Sequence, residues 1–224
     1  SLINPGVSSI GSDAITVGLI YRAGKVSAVG TTAILDSSNS AKDENDQPLF
    51  LDTKNRPALV QSFSMNDEIF TVAVNHLKSK GSACNEDNEG ADGQGNCNQT
   101  RNRAAQALVQ YLATQPTGVS SNAQLVLGDL NAYSKEDPIN TILDAGFSNL
   151  KYSEKSTETQ PYSYSFGGFL GSLDHALATA DFYAHVVSVD AWHINSVEDS
   201  LMDYETEATG QDYDSIDNYA NADA

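Results

Sequence analysis

Apolar residues fall in short runs bounded by turn formers, a pattern of strands rather than of long helices. Six runs, rich in β-branched and large apolar residues, are predicted as strands: Ala14–Arg22, Pro57–Phe63, Ile69–His76, Gln124–Leu130, Ser172–Ala178 and Val186–Trp192. Pro57 has no N–H to give a ladder, so it should open its strand rather than interrupt it. Two stretches follow the helical period instead. One runs from a Thr100 cap through about Thr114, with Ala104, Ala105, Leu108, Val109 and Leu112 on one face. The other is capped by Asp137, carries Pro138 at its first position and stops before Gly146. Asp36–Lys54 is polar and charged and reads as a long surface loop; Ser153–Pro161 reads as a shorter one. Helices interspersed with strands predict an α/β or α+β domain, and no internal repeat or interdomain linker interrupts it.

Composition sharpens this in three ways. The 224 residues are 40% apolar, enough for one sizeable core. No run of about 18 apolar residues exists, so no membrane span is expected. The start does not resemble a signal peptide, though a mature or trimmed chain would lack one anyway. The formal charge is −18, with 30 acidic and 12 basic side chains. That argues against a protein that grips nucleic acid through a generally basic surface. The imbalance is uneven, however: residues 181–224 hold 11 acids and no Lys or Arg. Residues 1–204 are therefore read as the domain, and residues 205–224 as an acidic, flexible segment.

Cys84 and Cys97 flank the polar segment NEDNEGADGQGN. No histidine stands at zinc-finger spacing and there is no C-x-x-C motif. A disulfide is the expectation; it would stabilise the loop by about 3 kcal/mol and imply an oxidising compartment. Two free thiols in a cytosolic protein are the alternative. The acids between the cysteines also invite a calcium reading. With Asn85 at position 1 of an EF-hand-like loop, Asp87, Glu89 and Gly90 take positions 3, 5 and 6. Asn96 then stands where Glu belongs, so a solvated loop is the stronger expectation.

Four motifs carry candidate chemistry. In Val74-Asn75-His76-Leu77-Lys78-Ser79-Lys80, an apolar strand delivers an imidazole and two ammonium groups at its C-terminal end. His76 can donate to a phosphate or move a proton, and the lysines offer point charges to anions; a structural hydrogen bond is the ordinary role of such a His. In LVLGDLN, Asp129 and Asn131 stand two apart at a strand end, where a carboxylate beside a carboxamide suits a hard divalent cation. An Asx turn closing the strand is the plain alternative. In GSLDHALA, Asp174 and His175 are adjacent and so face opposite sides of a strand; at most one enters a common site. Finally, Arg56 precedes a strand and Arg101 and Arg103 open a helix, where each is either a phosphate contact or an ordinary exposed residue.

The order of these pieces is more specific than any one of them. DAITVGLIYR, NRPAL, NHLKSKG, the Cys-bounded GQGNC loop, GDLNAY, YSYSF and SLDHALAT follow in the order that resembles the endonuclease/exonuclease/phosphatase family. The nearest likeness is to secreted bacterial extracellular nucleases, and it covers nearly all of the chain up to about Tyr204. The resemblance implies a four-layer α/β sandwich. It also implies Mg²⁺-assisted (or Mn²⁺- or Ca²⁺-assisted) attack of water on a phosphodiester, with DNA as substrate outside the cell. It makes His76 the residue that contacts phosphate or protonates the leaving oxygen. Asp129, Asn131 and Asp174 become the groups around water, phosphate and metal, and Arg56, Lys78, Arg101 and Arg103 phosphate contacts. Asp13 is matched only loosely, to an acid near the early strand.

Two family motifs have no counterpart here: a metal-binding Glu on an early strand, and a final Ser-Asp-His. On this reading the chain is an internal fragment whose own activity is weak or absent. A sphingomyelinase or phosphatase of the same fold, or a non-catalytic binding module, are the alternatives. The aromatic segment Tyr162–Phe166 is expected as a core strand or pocket wall rather than an exposed hairpin.

Overall fold

The computed structural model describes residues 1–87 and 89–193. The acidic segment 205–224 lies outside the described residues. The elements run β1 (Ser27–Leu35), β2 (Arg56–Met65), β3 (Glu68–His76), α1 (Asn98–Ala113), β4 (Gln124–Asp129), α2 (Asp137–Asp144), β5 (Phe147–Asn149), β6 (Tyr164–Phe166), β7 (Phe169–Gly171), β8 (Asp174–Thr179) and the short α3 (Ala180–Tyr183). Six strands make one mixed sheet in the order β1-β2-β3-β4-β8-β5; β6 and β7 form a separate hairpin. The fold is thus α/β, as expected. Of the four expected layers, the described residues supply one sheet and the helices on one of its faces.

That layering follows from the two sets of side chains that alternate along the central strands. Ala73, Val126 and Leu177 point to one face and bury against Ala104, Ala105, Leu108 and Leu112 of α1 and Ile139 and Ile142 of α2. Val72, Val74, Leu125 and Leu127 point to the other, where Ile3, Leu19, Tyr21 and Val26 of the N-terminal segment pack on them. On this second face an open apolar groove of about 390 Å³ remains between Leu19, Tyr21, Phe63, Phe70 and Leu127.

Several expected elements are revised. Ala14–Arg22 is not a sheet strand; it begins in a bend, bridges Leu2 at Ile20, and is held to the N-terminus by Ile3 N–H to Leu19 O (2.9 Å) and Tyr21 N–H to Ser1 O (2.8 Å). The strand that does pair with β2 is Ser27–Leu35, whose small residues and glycine mask its alternation. Val186–Trp192 contributes only an isolated bridge from Val189 to Ser156. Tyr162–Phe166 is not a core strand: Tyr164 and Phe166 are 42% and 70% exposed in the β6–β7 hairpin.

Both helix caps move by one turn or less. Asp137 is the first residue of α2, after Glu136 at the cap. Thr100 lies inside α1, whose free N–H groups at Gln99 and Thr100 instead meet the Glu86 carboxylate at 3.0 and 2.6 Å. Glu86 sits in the loop closed by the Cys84–Cys97 disulfide, so the bridge also fixes a helix cap. Glu89 in the same loop accepts the N–H groups of Cys84, Asn85 and Cys97. Glu89, which stood at position 5 of the EF-hand-like reading, is thus engaged by backbone donors.

Candidate active site

Strand register assembles the site. Arg56 on β2 pairs with His76 on β3, His76 with Asp129 on β4, and Asp129 with Asp174 on β8. Register partners share a face, so the four side chains form one row across four neighbouring strands, about 4.8 Å apart per strand. Arg56 reaches this row through a bulge. Leu59 pairs with Val74, yet Arg56 pairs with His76, one residue out of step. Pro57 sits in that irregular stretch, where its missing N–H costs no regular ladder bond.

Each member of the row has a defined setting. The Arg56 guanidinium is mostly buried and pairs with Asp13 at 3.1 Å, which brings the loosely matched acid to the row. Asp13 is held below the ordinary carboxylate range, first by the Ile15 N–H and also by the charges of Arg56 and His76. His76 Nε2 stands 3.7 Å from Asp129 Oδ2. Burial pushes the Asp129 carboxyl up, the Asp174 charge pushes it further, and the Asn131 N–H, His76 and Arg56 pull it back.

Asn131 is placed by a turn, not by strand periodicity. The strand ends at Asp129, Asn131 takes φ +47°, and its N–H donates to Asp129 Oδ1 at 2.8 Å. The Asx turn and the chemical pair are therefore the same feature. Asn131 Nδ2 donates to Leu77 O (2.9 Å), which leaves the carboxamide oxygen as the group to offer a ligand. Gly128 is needed just before: its φ is +125°, and a Cβ there would lie 2.0 Å from Asn75 O.

His175 falls on the helix side, as the alternation requires. It is buried between Ala132 O (2.8 Å from Nε2) and Asn149 Nδ2 (3.0 Å from Nδ1). The carbonyl accepts, so Nε2 carries the proton and Nδ1 accepts from the amide. Its pKa is pushed down by burial. It is a structural residue, and Asp174 alone enters the row.

Two expected phosphate contacts are corrected. Arg101 is completely buried; it donates to Asn96 O (2.6 Å), Lys78 O (3.1 Å) and Gln94 O (3.2 Å), tying loop carbonyls together where no substrate reaches. Arg103 pairs with Asp43 at 2.8 Å and with Pro48 O, on the helix side of the sheet. Lys80 is likewise committed, to Glu136 at 2.5 Å and beneath the Tyr133 ring. Lys78 follows His76 by two residues: its N–H is held by Asn55 Oδ1 (3.0 Å), and its ammonium donates to the Ser82 hydroxyl (2.8 Å).

The donor set fits a hard divalent cation. Two carboxylates, Asp129 and Asp174, face one another across adjacent strands, and the first is costly to ionise without a counter-charge. Mg²⁺ typically takes one or two carboxylates and fills its remaining positions with water and phosphate oxygens. Among the described residues, the one group of three His, Cys, Asp or Glu atoms within 4.8 Å is Cys84, Glu89 and Cys97. Its two sulfurs are joined in the disulfide and its carboxylate is taken by three N–H groups, so it offers no thiolate ligand in this state.

The model of the endonuclease/exonuclease/phosphatase family matches residues 15–196. The chain belongs to that family. None of the curated proteins matches it in sequence. Among solved structures it is similar to the human Nocturnin catalytic domain, at 17% identity and TM-score 0.46, covering 70% of this chain and 49% of that one. It is similar to the mannosyl-6-phosphatase of Bacteroides thetaiotaomicron, at 13% identity and TM-score 0.49, covering 71% and 55%. It is also similar to D. rerio TDP2, at 13% identity and TM-score 0.43, covering 72% and 56%. The chain thus spans about half the length of these structures. The arrangement of the row and the settings of its residues rest on the geometry above.

Proposed function

We infer that the row Arg56–His76–Asp129–Asp174 serves metal-dependent hydrolysis of a phosphodiester, with extracellular DNA as substrate of a secreted protein. The observation that supports it most is the register itself. It sets a guanidinium, an imidazole, a carboxylate with its carboxamide, and a second carboxylate in line. Asp129, Asn131 and Asp174 would hold Mg²⁺, or Mn²⁺ or Ca²⁺, which when bound polarises a phosphoryl oxygen and lowers the pKa of its water.

The chain's own residues do the rest. Arg56, held by Asp13, and Lys78 neutralise the phosphate and fix its position. His76 Nε2, 3.7 Å from Asp129 Oδ2, delivers a hydrogen bond or a proton to the leaving oxygen. The disulfide supports an oxidising compartment, and no described helix is long and apolar enough to cross a membrane.

The test is a substrate panel under Mg²⁺ with purified chain: single- and double-stranded DNA, a sugar phosphate monoester, and sphingomyelin. Cleavage of DNA that EDTA stops and His76→Ala slows by about 10²-fold or more is expected. Turnover of the monoester or of sphingomyelin in preference to DNA would move the assignment to a phosphatase or sphingomyelinase. Specific binding of DNA without turnover would favour a non-catalytic module.

A further inference from the structure

The β6–β7 hairpin is an exposed apolar feature joined to the start of β8, which carries Asp174. Phe166-Gly167-Gly168-Phe169 closes it, with both glycines at positive φ (+58° and +83°) as a tight two-residue loop requires. Tyr164, Phe166, Phe169 and Leu170 are 42%, 70%, 82% and 58% exposed. No Lys, Arg, Asp or Glu occurs from residue 159 to residue 173.

The hairpin is fastened to the site at its base. Ser163 Oγ accepts the N–H groups of Leu173 (3.2 Å) and Asp174 (3.1 Å), and Leu130 N–H donates to Leu173 O (2.9 Å). Tyr133, two residues beyond Asn131, lays its ring against Gly171, where a Cβ would lie 2.5 Å from it. By register, Tyr164, Phe166, Phe169 and Gly171 share one hairpin face. Tyr164 and Phe166 hold their rings nearly parallel, 11° apart with centroids at 6.3 Å. One aromatic strip therefore runs from Tyr133, beside the metal-facing loop, outward to the hairpin tip.

We propose that this strip is a stacking platform for the nucleobases of the strand being cut, with Tyr164 and Phe166 as its principal stacking rings. The proposal rests on the phosphodiester reading and extends it to the substrate's bases. A chain with so few free cations near its site gains little from long-range attraction to phosphate. Ring–base stacking supplies affinity that does not depend on charge and tolerates any base. A lipid-inserting tip would need exposed apolar side chains too. It would not need parallel rings, nor a strip continuous with Tyr133 and the Asp129–Asn131 turn.

The experiment measures binding of a short phosphorothioate-linked single strand, which resists cleavage, to the chain in Mg²⁺. It compares the strand with an abasic strand of equal length. A 2-aminopurine in the base-containing strand reports stacking through fluorescence quenching. Tyr164→Ser with Phe166→Ser is expected to weaken base-containing strand binding about 10- to 100-fold and abolish quenching, with binding of the abasic strand unchanged. Phe166→Trp is expected to retain both affinity and quenching. Because these side chains are exposed, Tm should not move, which separates the effect from misfolding. Unchanged affinity in the double variant, or an equal loss for the abasic strand, overturns the proposal. So does hairpin-dependent binding to phosphatidylcholine vesicles with strand binding unaffected, which would make the hairpin a lipid contact. Failure of both strands to bind the wild-type chain overturns the phosphodiester reading itself.

Discussion

Asp129→Asn is expected to slow metal-dependent diester cleavage by about 10²- to 10⁴-fold while leaving thermal stability unchanged or higher. The activity loss follows from removing the one carboxylate that borders the Asn131 turn, His76 and Asp174 together. The stability gain follows from linkage. The Asp129 pKa is raised in the fold, first by burial and then by the Asp174 charge. A carboxyl raised in this way contributes stability below its unfolded pKa and loses that contribution as pH rises through its folded pKa. At neutral pH the buried charge is therefore a cost, and asparagine removes it. Its Oδ1 can still accept the Asn131 N–H that Asp129 accepts at 2.8 Å. Scanning calorimetry in EDTA beside an assay in Mg²⁺ checks both halves; a large fall in Tm would mean that Asp129 is a structural residue.

Gly128→Ala should have the largest effect on folding, a loss of at least about 3 kcal/mol measured by chemical denaturation. The new Cβ would meet the backbone carbonyl of Asn75 at 2.0 Å, and φ of +125° is open to glycine alone. Nothing flexible stands in the way to yield, because Asn75 belongs to β3 and pairs with Gly128 in the parallel ladder. Relief would have to come from parting β3 and β4, the strands that bring His76 to Asp129. Gly146→Ala is the control. That residue also has positive φ (+94°), but no atom lies within 4 Å of the added Cβ, so a loss of only about 1 kcal/mol is expected.

These two positions also mark what could be read from the sequence. β3 and β4 were legible because their apolar runs are long and end in polar groups. The row they carry was legible because His76, Asp129 and Asp174 each sit at a strand end. Register was not: nothing in the sequence aligns Arg56 with His76 until the bulge near Pro57 is seen.

Arg101 and Arg103 misled for a related reason. A basic residue at a helix start looks the same whether it faces solvent or three loop carbonyls. The signal that could have separated them is the adjacent Cys-bounded loop, whose backbone needs donors to hold it. β1 went unseen because small residues and Gly30 blur its alternation. The β6–β7 hairpin was read as buried because aromatic residues usually are, and only the Gly167-Gly168 pair hinted at a tip.

His76 and Asp129, 3.7 Å apart, are expected to act as parts of one reaction site on a phosphodiester. The most direct test is kcat/KM in Mg²⁺ for one fluorogenic oligonucleotide, measured on the wild-type chain, His76→Ala, Asp129→Asn and the double variant. Residues that act as a unit give strongly non-additive losses. The double variant is expected to be about as slow as the slower single variant. Losses that multiply, or a His76→Ala variant as fast as wild type, would contradict it.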